Sequence, residues 1–109
     1  RAKDCQYIWF AHAARARKEG ISDAFVDALR DKKPLPKLQG AEQIVVDYAT
    51  ELFGTNRVSD ATFKTAIDHF GAMLLTELTT MMGYYSMLAL NVNAFEVDVP
   101  TGGEAPLLV

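Results

Sequence analysis

The sequence predicts an all-α domain, on three observations. Apolar residues recur at three- and four-residue spacing along most of the 109 positions. Gly20, Pro34 with Pro36, Gly54 and Gly71 separate those runs, where helices end. Two Ser-Asp pairs, Ser22-Asp23 and Ser59-Asp60, each follow an aliphatic residue and give the start signal of a helix.

The first helix is expected from about residue 3 to residue 19, closed by Gly20 in the left-handed position after a helix end. Positions 5, 8, 9, 12 and 16 then share one face, which places Cys5, Trp9 and His12 together. The second helix begins after the Ser22 cap, with Ile21 stapled onto Val26, and runs to about Arg30. Residues 31–39 carry two prolines and are read as an exposed connection. The third helix spans about 41–53, with Ile44, Val45, Tyr48, Leu52 and Phe53 on its apolar side. A fourth starts at the Ser59 cap and ends near His69-Phe70-Gly71. The fifth, about 72–93, is the most apolar element. Residues 99–109 contain Pro100, Pro106 and a Gly-Gly pair and are read as an extended tail behind a helical domain of residues 1–98.

Composition narrows the function classes. Hydrophobic residues make up 50% of the chain, rich for a small domain, so part of that surface is expected to be covered by self-association. The formal net charge is −3, which gives no electrostatic basis for nucleic-acid binding. The basic group Arg15, Arg17 and Lys18 reads as a solvated helix C-terminus favoured by the dipole. One cysteine builds no disulfide framework, so a cytoplasmic setting is expected. No signal peptide is visible, and because the chain opens on Arg1 without a cap, a preceding segment is expected. The run 72–90 approaches bilayer-spanning length, but Glu77, Thr76, Thr79, Thr80 and Ser86 interrupt it and no basic flank marks its ends. It is read as a helix buried on most sides, in a bundle or at a subunit interface, with Gly83 admitting a close neighbour.

Among reactive groups, His12 is the leading acid/base candidate, since imidazole exchanges protons near neutrality. Cys5 is a possible nucleophile or redox thiol, against the ordinary reading of a lone cysteine as a small buried hydrophobe. Glu77, among Leu74, Leu75, Leu78 and Met81, is expected to be paired, protonated or facing a cavity; Arg57 or a neighbouring subunit's arginine would pair it. His69 is explained by its place at a helix end, and Tyr84-Tyr85 as core or interface. Two distant histidines and one cysteine make no zinc set, and no Gly-rich phosphate loop appears, so no cofactor is expected.

Three stretches together resemble the carboxymuconolactone decarboxylase family and its alkylhydroperoxidase D-type relatives. They are Tyr7-x-Trp9-x-x-His12-x-x-x-Ala16-x-x-x-Gly20-Ile21-Ser22, then Gly54 through Phe63, then Glu77-Leu78 through Gly83-Tyr84-Tyr85-Ser86-Met87-Leu88-Ala89. The likeness implies an alkylhydroperoxidase D-like helical bundle, assembled as a homotrimer or homohexamer. Peroxidase relatives use Cys-x-x-Cys-x-x-x-His, which falls here on Cys5, Ile8 and His12. With isoleucine in place of the second thiol, no intramolecular disulfide closes, and dithiol peroxidase chemistry is not expected. Decarboxylase-like members carry glutamate at the Ile8 position, and their other acid comes from a helix upstream of this motif. The resemblance implies a small-molecule lyase acting on a cyclic carboxylate or lactone, with His12 and Cys5 as catalytic candidates and Tyr7, Trp9 and Glu77 at the substrate. The alternatives are a single-cysteine oxidoreductase and a degenerate ligand-binding or assembly subunit. Fold kinship alone does not choose between them.

Overall fold

The computed structural model describes residues 1–109 as four α-helices with no strand. They are α1 (Gln6–Lys18), α2 (Asp23–Arg30), α3 (Gly40–Thr55) and α4 (Asp60–Ala94). Two compact units divide the chain. One holds Lys3–Pro36 with Arg1, and Ser86–Val109; the other holds Lys37–Tyr85 with Ala2.

Local chemistry sets the helix boundaries. The Ser22 hydroxyl accepts the Phe25 N–H at 3.3 Å and opens α2. Ser59 does the same for α4, accepting from the Thr62 N–H at 3.3 Å. Gly20 takes φ +97, the left-handed geometry expected of it after α1. Asn56 ends α3 at φ 58. α4 continues where two helices were expected, but Gly71, at φ 74 and ψ 166, breaks it into 60–70 and 72–94. That conformation is open to glycine and strained for any side chain bearing a Cβ. Residues 31–39 are irregular and largely exposed, as two prolines require. No helix is long and apolar enough to cross a membrane.

In the second unit, Tyr48 of α3 packs with Ala66 and Leu75 of α4, ringed by Ile44, Leu52, Val58, Ile67, Phe70, Leu78 and Met82. Thr79 donates its hydroxyl hydrogen to the Leu75 carbonyl at 2.8 Å. The Tyr48 hydroxyl, 2.9 Å from the same Thr79 oxygen, is therefore the donor of that second bond. Phe53, expected on the apolar side of α3, instead stands exposed near its end. Glu51 fastens the start of α4 to α3. Its carboxylate accepts the Thr62 hydroxyl at 2.6 Å and the Ser59 N–H at 2.7 Å. Those bonds, with the Ser59 hydroxyl, hold the Glu51 carboxyl below its usual range, since they favour the charged form.

In the first unit, α1 and α2 pack together and the last residues lie back along α1. The Gln6 amide brackets Leu107, donating to its carbonyl at 3.0 Å and accepting its N–H at 2.8 Å. Trp9 Nε1–H donates to the Ala105 carbonyl at 2.7 Å, and the Leu108 N–H reaches the Arg30 carbonyl at 2.9 Å. Arg1 also donates to the Leu108 carbonyl. Leu107 is buried to 6% exposure. Gly103 passes so close to Phe10 that a Cβ there would meet the ring at 2.8 Å. The expected extended tail is thus irregular but fastened, running antiparallel to α1 with 107 over 6, 105 over 9 and 103 over 10.

Candidate functional site

The tail decides which side of α1 is covered. Of the face expected at 5, 8, 9, 12 and 16, Cys5 is buried, Ile8, Trp9 and Ala16 are half-buried and His12 is exposed; cover also extends to Ala13, which is buried, and to Gln6, Phe10 and Arg17, which are half-buried. Gln6 and Arg17 carry polar ends that hydropathy places in water, yet both are half-buried because the tail supplies partners for them. His12 is exposed.

Each candidate on α1 takes a distinct place. Cys5 is the N-cap residue at φ −86 and ψ 108; its carbonyl accepts the Trp9 N–H at 3.0 Å. Its thiol makes no capping bond and is buried to 6% exposure. Tyr7 is on the outer side, and Trp9 is half-buried with its indole turned to the tail. The exposed His12 ring has Nδ1 2.8 Å from the Ile8 carbonyl one turn back. A carbonyl only accepts, so Nδ1 carries the hydrogen and the neutral ring keeps its basic lone pair on Nε2. The Ile8 side chain takes no part in this contact; its backbone does. Arg15, one turn beyond His12, is exposed and forms no ion pair.

Glu77 lies in the other unit and departs from expectation. It is exposed, not buried among leucines, and neither Glu77 nor Arg57 enters an ion pair. Leu75 and Leu78 point into the core of the unit, and residue 77 falls on the opposite side of the same turns. There it shares an open, solvent-facing patch of the helix surface with Thr76, Thr80, Met81 and Tyr84. All five belong to one helix, so they enclose no cavity. The face of α4 expected to be covered on most sides is bare across Met73, Leu74, Met81 and Tyr84.

Hydropathy gave no sign of the most connected charge. Arg17, expected in a solvated basic group, turns inward and donates to Asp23 and Asp27 at 2.7 Å each and to Glu104 at 2.9 Å. These bonds, Asp27 first, raise the guanidinium above its ordinary value, and Arg17 in turn lowers Asp27. Arg30 continues the network to Asp27 at 3.0 Å and Asp31 at 2.8 Å. Hydrogen bonds from Arg30 and then Lys33 pull the Asp31 carboxyl down to about 2. A partial signal was available in the sequence: Asp23, Asp27 and Asp31 recur at four-residue spacing on one side of α2, where guanidinium forks suit carboxylates, but nothing in it brings Glu104 to Arg17. The network pins α1, α2 and the tail together, and it is structural in its placement.

Set against known protein families, curated proteins and solved structures, the chain matches none of them.

Proposed function

We propose that the chain is a carboxymuconolactone decarboxylase-like protein carrying out lyase-type chemistry on a small cyclic carboxylate or lactone. The observation that carries this reading is the His12 ring, exposed on α1 with Nδ1–H held by the Ile8 carbonyl at 2.8 Å. The proton leaves and returns at Nε2. When the carbon–carboxylate bond breaks, CO₂ departs and the electron pair spreads into the lactone as an enolate-like anion. Nε2–H of the imidazolium then protonates that carbon, and the ring is left neutral in the tautomer the Ile8 carbonyl already favours. Tyr7 and Trp9, on the same helix, are assigned to the substrate's surroundings as the family resemblance implies. Burial of Cys5 weighs against the oxidoreductase alternative, because peroxide must reach a thiolate to react.

Self-association as a homotrimer or homohexamer belongs to the same reading, supported by the exposed apolar face of α4. The test is CO₂ release from a carboxymuconolactone substrate. We expect His12→Gln to abolish turnover with helix content unchanged by circular dichroism. Equal turnover in wild type and variant, or none in wild type, sinks the assignment.

A further inference from the structure

Residues 104–108 lie along α1 and the end of α2 in contacts that read backbone more than side chain. The Gln6 amide takes both polar groups of residue 107, donating to its carbonyl at 3.0 Å and accepting its N–H at 2.8 Å. Trp9 Nε1–H takes the carbonyl of residue 105 at 2.7 Å, and the Arg30 carbonyl takes the N–H of residue 108 at 2.9 Å. Arg30 closes α2, so its carbonyl is one of the terminal acceptors that have no donor within the helix. Peptide groups of almost any sequence satisfy these partners. Two side chains add selectivity: Leu107 is buried, and Glu104 meets Arg17 at 2.9 Å. Ala105, Pro106 and Leu108 stay exposed.

We propose that this surface is a binding site for an extended peptide of a partner protein, with glutamate three residues before leucine, and that residues 104–108 are its resident intramolecular ligand. The seated segment itself shows the chemistry the site accepts: extended backbone, one carboxylate, one aliphatic anchor. Pro106 brings no N–H and presets its own φ, which favours the extended state before docking. The receiving groups do not rely on the tail for their placement. Arg17 retains Asp23 and Asp27 at 2.7 Å each without Glu104, and Gln6, Trp9 and Arg30 stand on α1 and α2. The tail, in turn, is lightly held. Leu107 is its one buried residue, and residues 93–103 leading to it are exposed throughout. Gly102 and Gly103 both take φ 88, a left-handed pair immediately before the seated residues. A segment tethered in this way competes at an effective concentration on the order of millimolar, so a peptide in trans binds in proportion to how far the tail is released. The site is independent of the His12 chemistry and of self-association.

Fluorescence anisotropy with a labelled peptide of residues 100–109, blocked at both ends, tests this on the full chain. Two variants release the tail and leave the receiving residues intact. Gly103→Ala puts a Cβ 2.8 Å from the Phe10 ring, and Glu104→Arg sets like charge against Arg17. Each is expected to bind the peptide roughly tenfold more tightly than wild type, with helix content unchanged by circular dichroism. Within either variant, a Leu107→Ala peptide is expected to bind about 30-fold more weakly, and Gln6→Ala in the chain to weaken the native peptide roughly tenfold. Equal binding to wild type and both release variants, equal binding of the Leu107→Ala peptide, or no binding to either release variant overturns the site. Sedimentation velocity adds one more outcome. A wild-type assembly that dissociates in both release variants assigns the surface to the tail of a second copy and overturns the partner peptide.

Discussion

Removing the Leu107 side chain tests whether burial of one residue fastens the tail to α1. Leu107 is 6% exposed, so nearly its whole side chain leaves water when residues 103–108 dock. Full burial of a leucine stabilises by about 1.5–3 kcal/mol, and truncation to alanine forfeits most of that plus a cavity contribution, giving about 2–3 kcal/mol for Leu107→Ala. The Gln6 bracket survives, because it reads the Leu107 backbone and not its side chain. A loss of about 2 kcal/mol shifts the docking equilibrium roughly 30-fold toward release. Trp9 is the only tryptophan, and its indole N–H is bonded to the tail through Ala105, so emission reports docking directly. We expect red-shifted emission in Leu107→Ala, faster proteolytic loss of the tail and a lower urea midpoint for the fluorescence transition. Unchanged emission, with a midpoint corresponding to less than about 0.5 kcal/mol of loss, refutes the reasoning.

Two further outcomes follow from the backbone and the charges. Gly71→Ala forces a Cβ into φ 74 and ψ 166 and is expected to destabilise by about 1–3 kcal/mol, read as a lower thermal midpoint; an equal or higher midpoint contradicts the break assigned there. Asp31 has a carboxyl lowered to about 2 by Arg30 and then Lys33, so its contribution is present above the unfolded value near 4 and is lost as pH falls toward 2. Asp31→Asn is therefore expected to be less stable than wild type at pH 6 and to converge with it near pH 2 in acid titrations followed by circular dichroism. A gap that persists unchanged at pH 2 excludes the ionic origin.

What the sequence determined by itself is local. Ser22 and Ser59 cap because their hydroxyls sit three residues before an orphan N–H, a relation internal to the segment. Gly20 and Gly71 mark helix ends because only glycine takes those backbone angles without strain, wherever the helices later pack. The all-α class and the irregular stretch 31–39 follow from the same short-range rules.

Only the tertiary structure decided which side of each helix faces what. The covered side of α1 extends beyond its apolar face to Gln6 and Arg17, since the tail brings bonding partners for both at Leu107 and Glu104. Cys5 is buried and His12 exposed, although spacing alone puts them on one face. Glu77 stands outside for a related reason. Periodicity counts neighbours along the chain, whereas α3 claims the Leu75–Leu78 side of α4 and leaves the 73–77–80–84 line bare. Hydropathy measures what a side chain does in the absence of a partner. Burial of Gln6 and Arg17, and exposure of Met73 and Tyr84, are set by where partners are.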